Sequence, residues 1–534
     1  MYVQNGLVHL YDWELADPLR PVGFDFFHFI IQQGILVDRK SWKEISLEIE
    51  NGAFQKLVQS ESLKMDDYLK LYLVFNITYY LKLYTEQKVL HEQVYWLFGT
   101  WNEALSCLLK DRINQRELVL MDMFDFLLNK PYATIKFQNM YPEKLSEFSD
   151  VDMCIEKSIK SQLNHYLKNH PLVAYMNVQN RSFMSTEQVI CEDGNILSLD
   201  LIWKIKRKEL EILDTKELLR KSYTNAFGVK MLNSFDNARY IGLFYSLNDA
   251  PVPEKYNYYE EMLKTSSSPL DKQLYPHFID ENYDNQVLFD FVKSQKSNTG
   301  MKGLWNKFRY ITDMISELLN SHGTVITFSG VDGAGKSTII ENIKFKVEKQ
   351  LRKRVVVLRH RPSLLPILSA WVKGKEQAEQ DTMSSLPRNG KNTAFLSSFI
   401  RFAYYYIDYL IGQFIIHVKY VRRGYVVIYD RYYFDFINDS KRSNIVLPKY
   451  IAEAGFMFLM KPKFNFFLYA DATVILNRKK ELDRETIENL TTNYLNHFEK
   501  LSERKSSSNY ISINNTDLDK TLHTVFSKIA EKAA

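Results

Sequence analysis

The sequence predicts a multidomain α/β protein. Its C-terminal domain has a five-stranded parallel sheet flanked by helices, its middle is α+β, and its N-terminal segment is mostly helical. Three observations carry this expectation. The chain has 534 residues, more than one hydrophobic core can absorb, so it must divide into domains. From Thr324 onward, short β-branched and aromatic runs alternate with long helical patterns, the order that gives a parallel sheet covered on both faces. The first of those runs, Thr324-Val-Ile-Thr-Phe328, leads into the glycine-rich Ser-Gly330-Val-Asp332-Gly333-Ala-Gly335-Lys336-Ser337-Thr338 and then an amphipathic helix.

In chain order, residues 1–110 open with a hairpin-like segment ending at Leu10-Tyr-Asp12-Trp13-Glu14, followed by helical patterns at 66–84 and 92–110. Residues 111–292 mix helices with strand-like runs, among them Val151-Asp-Met-Cys-Ile155 and Ile196-Leu-Ser-Leu-Asp200-Leu-Ile202. Residues 293–323 comprise a polar linker, 293–300, and a connecting helix, 304–319. The last domain, 324–534, has expected strands at 324–329, 354–359, 425–429, 464–470 and 508–513, and helices at 336–351, 395–421, 485–503 and 517–532. A polar run, 373–393, lies between the second strand and the longest helix, as an excursion over the sheet's carboxyl edge.

Composition excludes several classes. With 46% hydrophobic and 25% charged residues the chain is globular, and a net charge of +5 implies no nucleic-acid partner, although it suits small anions. Three cysteines, Cys107, Cys154 and Cys191, have no metal-ligand spacing and fit reduced thiols of a cytoplasmic protein. No basic segment followed by an apolar run marks a signal peptide at the N-terminus. The apolar stretch 394–420 is interrupted by Arg401, Asp408 and Gln413, so a core helix beside a site is expected there and no membrane partner.

The glycine-rich run is G-x-x-x-x-G-K-S-T, a phosphate-binding loop in the strand–loop–helix context it requires. Gly330, Asp332, Gly333, Gly335, Lys336, Ser337 and Thr338 are the expected nucleotide-binding set. Their backbone N–H groups and the helix N-terminus face an anion, Lys336 reaches the β- and γ-phosphates of ATP, and the Ser337 hydroxyl ligates Mg²⁺. A second strand, Gly424-Tyr-Val-Val-Ile-Tyr-Asp430-Arg431-Tyr432, ends in an acid–base pair. Asp430 can hold a Mg²⁺-bound water and Arg431 can clamp a phosphate, unless the two are an ordinary strand-end ion pair. Arg478 and Arg484, in a basic segment after the fourth strand, can close over a transferring phosphoryl group or cap a solvated helix. Arg359 and Arg361, in Leu358-Arg359-His360-Arg361-Pro362, can receive an acceptor's acidic group or simply flank a loop.

Together, the loop, the G-x-x-V-I-x-D-R-Y strand and the late basic segment resemble the thymidylate kinase family of nucleoside-monophosphate kinases over about 324–532. The resemblance implies ATP, Mg²⁺ and transfer of the γ-phosphoryl group to a monophosphate, with a homodimer as the family's assembly. It assigns Lys336 and Ser337 to ATP·Mg²⁺, Asp430 and Arg431 to the acceptor side, and Arg478 or Arg484 to the lid. Two departures leave the acceptor open. The family's Arg-Glu-Pro turn is Arg359-His-Arg361-Pro362 here, and the long helix, at Tyr404-Tyr-Tyr-Ile-Asp408-Tyr409, lacks the family's thymine-facing Arg.

In the middle, Ser149-Asp150-Val151-Asp152 puts two carboxylates on one face of an apolar strand, and Asp200 lies on another. Three such carboxylates suit a two-metal site. They resemble the nucleotidyltransferase fold over about 111–250, without that fold's Gly-Ser ahead of S-D-x-D; surface acids at a strand end are the alternative. At the N-terminus, Val8-His-Leu-Tyr-Asp12-Trp13-Glu14 and Pro21-Val-Gly-Phe-Asp25 resemble the C-lobe of aminoglycoside-phosphotransferase-type kinases. That resemblance makes Asp12 a vestigial metal ligand and Asp25 a brace. The catalytic H-x-D loop and ATP-binding N-lobe have no counterpart here, so a missing upstream part is expected, either lost or separately encoded, in which case a separate polypeptide is the partner that supplies it; a kinase remnant serving as a helical scaffold is the alternative.

The expected function is ATP- and Mg²⁺-dependent phosphoryl transfer to a small phosphorylated acceptor. Two alternatives stand beside it: nucleotidyl transfer in the middle domain with an accessory C-terminal domain, and a non-catalytic ATP-binding switch.

Overall fold

The structure is a computed structural model that describes residues 2–4, 7–9, 20, 23–50, 64–137, 140–279, 284–320, 323–359, 394–479, 481–504 and 506–533. Asp12, Arg361 and the polar run 373–393 lie outside these residues. The chain forms two compact units, Met1–Gly303 and Leu304–Ala534.

The first unit opens with an antiparallel pair, β1 (Tyr2–Gln4) and β2 (Leu7–His9). The helices Phe24–Leu36, Trp42–Glu50, Met65–Thr85 and Glu92–Leu109 follow and share a core of Phe27, Ile31, Trp42, Tyr72 and Trp101. The helix Gln115–Leu127 starts at Asn114, whose side chain accepts from the Arg116 N–H, as an N-cap should.

The rest of the unit is built on a seven-stranded mixed sheet. Its strands are β3 (Tyr132–Ile135), β4 (Val151–Ile155), β5 (Val173–Asn180), β6 (Met184–Cys191), β7 (Ile196–Ile202), β10 (Tyr223–Thr224) and β11 (Lys230–Met231), with a side hairpin of β8 (Ile205–Arg207) and β9 (Leu210–Leu213). The order is β10-β11-β3-β4-β7-β6-β5, and β4 runs parallel to β7 with Asp152 opposite Asp200. Strand alternation sorts the side chains. Val151, Met153, Leu199 and Leu201 face one core with the helices Gln115–Leu127 and Lys157–Asn169. Cys154 and Ile202 face a second core under the helix Ser234–Ser246, and Asp152 and Asp200 point to that same side by period.

The expected linker at 293–300 is a fastened turn. Asn298 accepts from the Glu211 N–H at 2.8 Å and donates to the Glu211 and Val292 carbonyls, each at 2.9 Å. The connecting helix begins at Gly300, earlier than expected, and runs to Asn320.

Among the described residues the second unit holds five strands, all parallel: β12 (Thr324–Ser329), β13 (Val355–Arg359), β14 (Val426–Asp430), β15 (Phe464–Tyr469) and β16 (Asn509–Asn514). Their order is β13-β14-β12-β15-β16. The long helices Lys336–Lys349, Phe395–Lys419, Arg484–Ser502 and Leu518–Ala533 fall within a few residues of expectation. Short helices at Phe434–Asn438, Lys449–Phe456 and Ala472–Arg478 have no counterpart in the sequence reading. The helix Phe395–Lys419 buries Phe402, Asp408, Tyr409 and Ile416. No helix among the described residues is long and apolar enough to cross a membrane.

Candidate functional site

The glycine-rich loop leaves β12 at its carboxyl end, between β14 and β15. Two glycines are dictated by close approach. A Cβ on Gly330 would lie 2.3 Å from the Leu468 carbonyl oxygen, and one on Gly335 would lie 2.5 Å from Asn515 Nδ2. Asn515, just beyond β16, donates to the Ala334 carbonyl at 2.8 Å, and its own N–H donates to Tyr469 at 2.7 Å. The helix Lys336–Lys349 has Gly335 as its cap, with no side-chain acceptor and no acid in the first turn. Its N-terminal donors and partial positive charge are therefore presented toward the loop. Ser337 and Thr338 are exposed at that end.

Lys336 is buried and bends back so that its ammonium donates to the Gly330 and Val331 carbonyls, each at 2.9 Å. Burial, helped by the nearby Arg431 charge and opposed by Asp332 and Asp430, pulls its amine down to about 7.

Arg431 sits at φ 74°, a left-handed position costly for a residue with a Cβ. Its N–H donates to the Phe328 carbonyl at 2.8 Å. Its guanidinium reaches the Gly330 carbonyl at 3.2 Å, Asp332 at 2.5 Å and Asp435 at 3.1 Å. Asp332 is also paired with Arg442. Burial pushes the Asp332 carboxyl upward, but Arg431, Arg442 and Lys336 outweigh it and hold the group well below the usual carboxylate range. Asp435 is fully buried and also accepts from the Tyr494 hydroxyl at 2.6 Å. The expected phosphate clamp is therefore the centre of an ion-pair network that fixes the glycine-rich loop through Asp332.

The remaining candidates separate clearly. Asp430 is half-buried, opposite Phe328 on β12 and Arg359 on β13. Arg359 is exposed at that strand end. The helix Ala472–Arg478 lies over the loop: Ile475 is 3.1 Å, and Arg478 Nη1 3.7 Å, from the Cβ positions that Gly333 and Gly335 lack. Arg484 instead pairs with Glu488 at 2.8 Å on an exposed helix start. Arg442, Asp435 and Asn515 were not singled out in the sequence. No motif marks them, because each is defined only by what it meets in space.

In the first unit, Asp150, Asp152 and Asp200 do converge, with carboxylate oxygens within 4.8 Å of one another. A cation is already there. The Lys136 ammonium lies 2.6 Å from Asp152, 5.7 Å from the Tyr240 ring centre and 5.2 Å from that of Phe244. Lys136 reaches the cluster from a left-handed backbone (φ 57°), with its N–H donating to Asn237 Oδ1 at 2.9 Å. Burial works against the Lys136 charge, but Asp152 outweighs it and holds the amine above its ordinary range. Burial, reinforced by Asp150 and Asp200 and opposed by Lys136, raises Asp152 to about 6.

Lys136→Met should therefore cost about 3 kcal/mol by leaving Asp152 buried without its counter-ion. The loss should be larger at pH 8 than at pH 5, because protonation of Asp152 relieves it in acid. Urea unfolding at the two pH values tests this, and a pH-independent loss would rule it out.

No protein-family model and no curated protein matches the chain.

Proposed function

We propose that the second unit is an ATP- and Mg²⁺-dependent phosphotransferase, similar to thymidylate kinase, acting on a nucleoside monophosphate or a like phosphorylated acceptor. The observation that carries this reading is the Gly330–Thr338 loop, set between a parallel strand and an uncapped helix N-terminus, with Asp430 on the adjacent strand end. Bound phosphates replace the Gly330 and Val331 carbonyls as partners of Lys336. Ser337 and Asp430 supply oxygen ligands for Mg²⁺, which neutralises charge on the phosphates. Arg478, 3.7 Å from the Cβ position that Gly335 lacks, can close over a transferring group, and the exposed Arg359 can receive an acceptor's anion. The ion pairs of Arg431 favour a positioning role, exerted through Asp332.

Incubation with γ-labelled ATP, Mg²⁺ and a panel of nucleoside monophosphates (dTMP included) and sugar phosphates tests the reading. Label should pass to at least one acceptor. ATP binding without transfer to any would favour the non-catalytic switch. Nucleotidyl transfer abolished by Asp152→Asn but not by Lys336→Ala would favour the middle site.

The titration of Lys336 gives a second measurement. Near pH 8 much of its amine is neutral, and phosphates restore its charge, so nucleotide binding takes up close to one proton. Calorimetric titrations at pH 8 in buffers of different ionisation enthalpy should differ accordingly, and those at pH 5.5 should agree. Above pH 7, affinity should fall by up to about tenfold per unit. Buffer-independent heats at pH 8 would refute this role for Lys336.

A further inference from the structure

A cavity of about 700 Å³ opens in the first unit between the helical segment and the helices that cover the mixed sheet. Small-molecule sites fall in this size range. Its wall carries Trp96, Phe126 and Tyr166, the last two stacked with ring centres 4.3 Å apart. Its rim carries the exposed Arg39 and Lys43. The Arg39 guanidinium carbon lies 3.4 Å from the Trp96 ring centre, so Arg39 stacks on one face of that ring and holds a positive charge at the rim. Deeper in, Glu103 is buried and accepts from the Trp42 N–H at 3.4 Å. Burial and the nearby Asp122 raise its carboxyl to about 8, so it presents a neutral hydrogen-bond donor at neutral pH.

One residue of the wall is not explained by the protein's own packing. Gly99 lies in the interior of the helix Glu92–Leu109, where glycine costs about 1 kcal/mol relative to alanine. A Cβ there would meet nothing within 4 Å. Neither crowding nor a left-handed backbone requires glycine at this position. The open space beside that helical turn leaves room for a flat molecule to lie against it.

We propose that this cavity binds a small aromatic anion, its ring system against Gly99 and Trp96 and its acidic group at Arg39 and Lys43. The site lies in a different unit from the glycine-rich loop, and its failure would leave the phosphotransferase reading untouched.

The full chain is titrated with 8-anilinonaphthalene-1-sulfonate, followed by probe fluorescence, with saturating tripolyphosphate and Mg²⁺, which carry no ring, present to occupy the phosphate loop of the second unit. N-phenyl-1-naphthylamine, the same skeleton without the sulfonate, is the neutral control. One sulfonate probe should bind per chain. Gly99→Leu should weaken it by at least about tenfold, with the melting temperature unchanged or higher. Arg39→Gln should weaken the sulfonate probe by about fivefold and the neutral one by less than about twofold. Wild-type affinity in Gly99→Leu, equal binding of the two probes, or no binding would overturn the proposal. So would loss of cooperative melting in Gly99→Leu, because open space at that position accommodates the larger side chain.

Discussion

Lys336→Ala should lower phosphoryl transfer by on the order of 10³-fold or more and leave the fold intact. Phosphoryl transfer gives a protein little covalent work, so rate comes from positioning and from positive charge set where negative charge develops. Lys336 is the one side chain of the loop whose ammonium is already buried among the carbonyls of Gly330 and Val331. No flexible surface lysine can replace it. The fold should tolerate its loss because the charge is poorly accommodated: burial, with the Arg431 charge, draws the amine down to about 7, so removing it relieves a desolvation penalty as it breaks two hydrogen bonds. Single-turnover transfer from labelled ATP, with a thermal melt of the same sample, measures both halves. Transfer at the wild-type rate in a folded Lys336→Ala protein would end the proposal.

Arg431→Ala should do the opposite and act first on stability, by about 3–5 kcal/mol. Its guanidinium joins Asp332, Asp435 and the Gly330 carbonyl. Asp435, fully buried, would lose its charged partner and still accept from the Tyr494 hydroxyl, while Asp332 would retain Arg442. Lysine cannot restore the network, because one ammonium cannot present the guanidinium's fork of donors to two carboxylates. Backbone strain can be separated from the ion pairs. Position 431 has φ 74°, so Arg431→Gly removes both the side chain and the strain, and its difference from Arg431→Ala isolates the backbone share, about 1 kcal/mol. The pH dependence follows from Asp332. Its carboxyl is depressed in the folded protein, so its contribution is present above the unfolded carboxylate range and is lost as pH falls through the folded value. The wild-type advantage over Arg431→Ala should therefore narrow in acid. Denaturant unfolding that places Arg431→Ala within about 1 kcal/mol of wild type at pH 7 would show that the network contributes little.

The second unit's sheet was legible because its signals are local. Each buried strand is a short run of Val, Ile, Phe or Tyr, and each long helix is amphipathic over several turns. The helix Ala472–Arg478 escaped because seven residues hold too few periods to stand out. The site was half legible for the same reason. Gly330 to Thr338 form one contiguous motif, whereas Arg442 meets Asp332 from 110 residues away and Asn515 meets Ala334 from 181. In the first unit, strand alternation was enough to bring Asp150 and Asp152 to one face, and parallel pairing set Asp200 beside them. Lys136 was invisible because its reach depends on a left-handed backbone that no propensity assigns to lysine. Arg484 shows the reverse case: a basic residue at a plausible position is taken up by Glu488, one turn along its own helix.

Asn515 has a consequence in time as well as space. The loop begins at Gly330, yet the side-chain amide that braces it is 181 residues downstream of its partner at Ala334. During synthesis the ribosome must deliver the last strand before the loop acquires that brace, at roughly ten residues per second. For many seconds, a nascent chain holds the whole motif without its support. A braced loop is then a late acquisition, coupled to completion of the sheet, and a product that stops short of Asn515 carries the motif's letters without its stiffness.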